Sequence, residues 1–209
     1  QSDVSVKKIT NYITRKVADK LNSIFKNERE NLESKWNDIK VVIEYGMLTE
    51  DKFYDKAESF NLYPTVDDKY FTYEELEKKI KKLQTDKDGN LIILYAQNKD
   101  EQYTYIESAK EKGYEVLLLD SPIIPHLMQK LESKKEKIKF SRVDSDTLEN
   151  LIKKDEEVIS KLTDEEKEKL KPMIETAVEN EKYTVQLEAL DSNSMPFMLA
   201  QPEFMRRMK

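Results

Sequence analysis

Along most of this chain apolar residues recur singly, three or four positions apart, but in two places they run together. The first run, Leu91-Ile92-Ile93-Leu94-Tyr95-Ala96, follows Asp88-Gly89; the second, Val116-Leu117-Leu118-Leu119, follows Gly113. Neither alternates with polar residues, so neither fits a strand with one wet face. Both fit strands covered on two sides, the habit of parallel sheets. Parallel neighbours need a crossover, and the polar stretch Asn98–Lys112 is long enough to supply a helical one. The pattern therefore predicts a βαβ unit at the centre of the chain.

The segments on either side read mainly as helices. Val6, Ile9, Ile13, Val17, Leu21 and Ile24 make one stripe of a first helix, capped by Ser2 or Asp3, with Lys7, Lys8, Arg15, Asp19 and Lys20 on its wet face. A second helix from about Glu28 carries Leu32, Trp36, Ile39 and Ile43 and is expected to stop at Gly46. A third, Asp51–Phe60, turns Phe53, Ala57 and Phe60 inward. Pro64 and Asp67-Asp68 mark a loop over 61–70. Thr72-Tyr73-Glu74-Glu75 is a capping box that opens a helix to about Leu83. Beyond the βαβ unit, Leu127, Met128 and Leu131 mark another helix. Residues 137–143 alternate weakly, as an edge strand guarded by Lys137 and Lys139. A mostly polar boundary follows over 144–163, then a helix from Asp164 with Pro172 inside it. Tyr183–Leu190 alternates by two and predicts a half-exposed strand, with Met195–Ala200 as its return. Pro202 opens a last helix. The fold class is thus mixed α/β and α+β: a three-helix bundle over 1–85, a small α/β/α layer with parallel strands over 86–145, and a linker with a partial α+β domain over 146–209.

Composition narrows the function classes. Charged residues make up 37% of the 209 positions, against ~25% in an ordinary domain. With 36 Lys+Arg, 42 Asp+Glu, 3 Gly and 6 Pro, this suits long solvated helices better than disorder. The net charge of -6 disfavours a nucleic-acid partner, which needs a basic face. The absence of cysteine removes disulfides, thiolate catalysis and Cys-based zinc sites, and agrees with a reducing compartment. No apolar run approaches the ~18 residues of a membrane span, and the stretch from Gln1-Ser2-Asp3 lacks the basic-then-apolar pattern of a signal sequence. A start without Met and a last helix cut off at Lys209 read as a piece of a longer cytoplasmic protein.

Candidate chemistry is sparse. His126 is the single histidine and has no acid or cysteine pair beside it, which favours a surface or capping role. Three glycines build no phosphate loop, and the first strand of the βαβ unit leads into Gln97-Asn98-Lys99, so no nucleotide cofactor is expected. Acidic clusters such as Glu74-Glu75 and Asp164-Glu165-Glu166 read as helix N-terminal charge, not as metal sites. The enzymatic alternative is a small-molecule pocket beyond Tyr95 and Leu119, where α/β sheets hold ligands; a plain scaffold or adaptor is another. The stretch Met195–Met208 holds four of the 7 methionines, together with Phe197 and Phe204. Thioethers and aromatics make an adaptable apolar surface, although composition alone favours ordinary core packing there.

Several of these stretches together resemble the 90-kDa heat-shock chaperone family of bacteria. Gln1-Ser2-Asp3, Val6-Lys7-Lys8-Ile9 and Lys16-Val17-Ala18-Asp19-Lys20-Leu21 look like the start of its middle-domain helical bundle. Asn90–Tyr95 and Gly113-Tyr114-Glu115-Val116-Leu117-Leu118-Leu119 resemble its distal α/β layer, and Phe204-Met205-Arg206-Arg207-Met208-Lys209 resembles an amphipathic helix near the start of its C-terminal domain. The resemblance spans the chain in order. It implies a chaperone segment that binds unfolded or partly folded client proteins and relays ATP-driven movement, with co-chaperones as possible partners. ATP and Mg²⁺ would belong to a domain of the full-length protein that precedes this region, and the homodimerisation element to one that follows it. Gln1 would be the glutamine that approaches the ATP phosphates; without its arginine partner this segment alone should not hydrolyse ATP. Client contacts are implied for His126, Leu127, Met128 and Gln129, where the family's acid–Trp pair is replaced by Pro125-His126, and for Phe204, Met205 and Met208.

Overall fold

The computed structural model describes residues 2–154, 160–178, 183–190 and 196–207. Helix α1 (Ser2–Asn27) is already running at Ser2 and is followed by α2 (Arg29–Ser34), α3 (Trp36–Thr49) and α4 (Asp51–Ala57). The expected stripe on α1 is only half used. Ala18 is buried and Leu21, Ile24 and Phe25 pack on the core, whereas Val6, Ile9, Ile13 and Val17 are 58, 60, 55 and 46% exposed. The helix expected from Glu28 is divided at Lys35. Gly46 does not end α3, which runs on to Thr49 and stops where Glu50 turns extended. The glycine serves packing instead: a Cβ there would lie 2.9 Å from two ring carbons of Phe53 on α4.

Residues 61–70 are more than a loop. They hold two-residue strands β1 (Tyr63–Pro64) and β2 (Tyr70–Phe71), paired antiparallel. The turn between them contains Asp68 at φ 58, with the Thr65 hydroxyl accepting from Asp67 N–H and Lys69 N–H. The capping box forms as the pattern requires on α5 (Tyr73–Ile80): Thr72 Oγ1 accepts from Glu75 N–H, and Glu75 Oε2 accepts from Thr72 N–H. The same carboxylate takes a two-pronged contact from Arg29 at 2.5 and 2.8 Å, tying α2 to α5.

The sheet is the predicted one. Strand β3 (Leu91–Ala96) lies between β4 (Val116–Leu118) and β5 (Ile138–Arg142), parallel to both, with α6 (Tyr103–Glu111) as the crossover and α7 (Ile124–Lys134) leading to β5. Gly113 at φ 77 makes the turn from α6 toward β4, a conformation that costs glycine little. Every residue of β3 is buried. Leu91, Ile93 and Tyr95 face a core shared with the helical bundle and α7; Ile92, Leu94 and Ala96 face a second core built with Ile106, Ala109, Val143, Leu148 and Ile152. The outer edge of β4 is covered by the hairpin, through Val66 N–H to Val116 O and a Thr65–Leu117 bridge.

Helices α8 (Leu148–Leu151), α9 (Asp164–Val178) and α10 (Glu203–Arg207) complete the described elements. Helix α9 continues through Pro172 and buries none of its residues. The expected strand over 183–190 and its return do not form among the described residues. Alternation supplies a suitable face but not a partner, and a strand exists only where a neighbour completes its ladder.

Candidate functional site

The carboxyl ends of parallel strands are where α/β sheets place their ligands. Here β3 ends at Tyr95-Ala96 and β5 at Arg142, in register with each other. Just past β5, Val143 N–H reaches back to Tyr95 O at 2.9 Å, so the preceding N–H, of Arg142, points to the open edge of the sheet. Glu203 of α10 fills that position. Its Oε2 accepts from Arg142 N–H at 3.1 Å and its Oε1 accepts from the Tyr95 hydroxyl at 2.6 Å. The Arg142 guanidinium turns the other way, gripping Asp144 at 2.7 and 2.9 Å and donating to Gln97 Oε1 at 2.9 Å. Gln102, buried at the start of α6, accepts from the Gln97 and Asn98 amides and donates to Asp144. The ends of β3 and β5 are thus closed by the chain's own polar groups, on the Tyr95 side of the place where the enzymatic alternative expected a pocket. Among the described residues no group of three or more His, Asp or Glu is placed to hold a metal.

The segment leading to α10 is fixed at two further points. The Tyr105 hydroxyl donates to Leu199 O at 2.9 Å, and Gln201 N–H donates to Asp144 O at 3.4 Å. While Glu203 faces the sheet, its neighbours face water: Phe204 is 65% and Met205 47% exposed, and Phe197 and Leu199 are 73 and 62% exposed. The assignments made on α7 divide. His126 and Gln129 are exposed, but Leu127 and Met128 are 1 and 0% exposed. They are the core face of an amphipathic helix, buried in the core that α7 shares with the bundle and the sheet, so a partner does not reach them in this conformation, and the client-surface expectation is corrected for those two. Gln1 and Met208 lie outside the described residues. Sequence reasoning missed Gln102, Arg142, Asp144 and Glu203. They are scattered along the chain, and only the parallel register, read to the last residue of each strand, brings them together.

No family model matches the chain. Among curated proteins, chaperone protein HtpG of Bacteroides thetaiotaomicron is 50% identical over 212 aligned residues, covering 100% of this chain. That of Porphyromonas gingivalis is 44% identical over the same span. The chain belongs to the HtpG chaperone family. It spans 31% of the length of these HtpG relatives. A more distant HtpG, from Bdellovibrio bacteriovorus, is 28% identical over 75% of the chain. Among solved structures, the middle domain of a Plasmodium falciparum heat shock protein superposes with a TM-score of 0.51, covering 66% of this chain and 57% of that one at 15% identity. That likeness is one of fold, and it agrees with the HtpG assignment: mixed helix and sheet with a small parallel three-stranded sheet.

Proposed function

We propose that this chain is a client-binding and force-transmitting part of a longer, ATP-driven HtpG-type chaperone. Unfolded or partly folded polypeptide is gripped by the apolar side chains of the terminal segment, chiefly Phe197, Leu199, Phe204 and Met205, with the polar outer face of α7 at His126 and Gln129 as a second contact. The observation that carries this reading is Phe204, a large ring 65% exposed directly after a stretch tied to the body through Leu199 O and the Glu203 carboxylate. Single exposed apolar residues are ordinary, but Phe197, Leu199, Phe204 and Met205 are all exposed within nine residues, and such a concentration suits a partner surface; thioethers with aromatics adapt to many partners. The bundle, the sheet and α7 share one core, which suits a stiff lever between moving parts. On this reading ATP and Mg²⁺ act in a domain outside this chain, which Gln1 approaches. Homodimerisation and co-chaperone contacts also belong to the longer protein, in the cytoplasm. Among the described helices none is long and apolar enough to cross a membrane. Against the enzymatic reading, Glu203 occupies the shared end of β3 and β5, where one side of its pocket would open. Light scattering from heat-denatured citrate synthase tests the proposal: the chain slows aggregation, and Phe204→Ser with Met205→Ser removes the effect. Equal protection by the double variant would refute the assigned surface.

A further inference from the structure

Adjacent residues of α10 do opposite things. Glu203 is bound to the sheet, whereas Phe204 and Met205 stand in solvent. Five residues are too few to hold a helix by propensity alone, so the direction in which Phe204 and Met205 point is set by what anchors them. The anchor is specific. One oxygen of the carboxylate takes the hydroxyl of Tyr95, whose ring is 3% exposed in the central strand, and the other takes an edge amide of β5. Both are charge-assisted hydrogen bonds, roughly twice as strong as neutral ones. Together they bridge two strands, so the carboxylate fits only while β3 and β5 keep their register. Leu199 O on Tyr105 and Gln201 N–H on Asp144 O hold the approach to it.

We propose that Glu203 is a latch that seats residues 196–207 on the carboxyl end of the sheet, and that Tyr95 is its receptor. Seated, the segment presents Phe204 and Met205 as one fixed apolar patch; released, it does not. Glu203 is therefore a positioning residue for polypeptide binding, acting through its neighbours, and this part rests on the function proposed above. The latch also gives the sheet a way to report on the patch, because a shift of β5 against β3 breaks the carboxylate's two-strand grip.

The test uses the full 209-residue chain with Glu203→Gln, Tyr95→Phe and both together, and Glu165→Gln on exposed α9 as a control. Hydrogen exchange of the amides of residues 197–205 reads the latch. Fluorescence anisotropy with labelled, reduced and carboxymethylated α-lactalbumin, a permanently unfolded chain, reads binding. Glu203→Gln, which removes the charge from both hydrogen bonds, is expected to speed exchange in this segment about tenfold while the amides of β3 keep their protection; Tyr95→Phe, which leaves the Arg142 N–H contact, is expected to do so by less, and the double variant by less than the product of the two, because both act on one carboxylate. Binding of the probe is expected to weaken several-fold in the same variants. Wild-type exchange rates in Glu203→Gln would overturn the latch. Faster exchange with unchanged binding would overturn its positioning role. If the wild-type chain does not bind the probe, the proposed function fails, and the latch is judged on exchange alone.

Discussion

Glu44 is 6% exposed on α3, and its Oε2 has no hydrogen-bond partner. Burial pushes its carboxyl above the ordinary glutamate range, against the opposing pull of a Ser121 hydrogen bond and of Lys40, while Asp120 adds to the rise. An acid whose folded value lies above its unfolded one costs stability as pH climbs past the unfolded value, about 4.3. Glu44→Gln is therefore expected to raise stability at pH 7, by about 1 kcal/mol, and to change little at pH 4; urea melts at the two pH values check this. Glu75 has the opposite sign. The Arg29 hydrogen bond holds its carboxyl below the ordinary range, against a desolvation that opposes it. Its contribution is present above about pH 4.3 and is lost as pH falls through the folded value. Glu75→Gln should cost stability at pH 7 and flatten the loss on acidification, read from the same melts.

At the scale of elements, the hydrophobic period told how each segment folds better than what it packs against. The βαβ unit was legible because two short apolar runs, each led by a glycine and joined by a polar stretch of helix length, fit a parallel pair, and the capping box because its two bonds depend on neighbouring residues alone. Gly46 was misread because a glycine that ends a helix and a glycine that admits an aromatic ring look the same in sequence. Gly46→Ala adds helix propensity of about 1 kcal/mol but presses a Cβ into Phe53, 5% exposed and edge-on to Phe60 at 6.2 Å. Overpacking of this kind costs about 1–3 kcal/mol, so the variant should melt below the wild type. The hairpin of β1 and β2 was missed because two-residue strands have no period to detect. Helix α1 shows the converse, a clear stripe with a half-empty partner face. Ile9→Ser and Ile13→Ser should each change stability by less than about 0.5 kcal/mol, whereas Leu94→Ala, in the second core, should cost about 2–5 kcal/mol. Chemical denaturation separates the two cases.

Across the whole molecule, one core joins bundle, sheet and α7, and the terminal segment is tied to that body by polar contacts while its apolar side chains stay outside. The resemblance found in the sequence pointed to Phe204 and Met205, which are exposed, and their role as a surface for polypeptide is the proposal made above. At Leu127 and Met128 the helical period and the resemblance point in opposite directions, and burial sides with the period. The anchoring residues were invisible because Tyr95, Arg142 and Glu203 meet only through the fold. The central claim is that non-native polypeptide binds at this tethered apolar segment and not at exposed hydrophobic side chains in general. Site-specific photo-crosslinking to an unfolded protein tests it most directly, with the photoreactive residue placed in turn at Phe204, at His126 and at Val42, an apolar α3 residue that is 73% exposed. Strong adducts at 204, weaker ones at 126 and none above background at 42 are the expected result. Equal labelling at 204 and 42, or none at 204, would contradict the account.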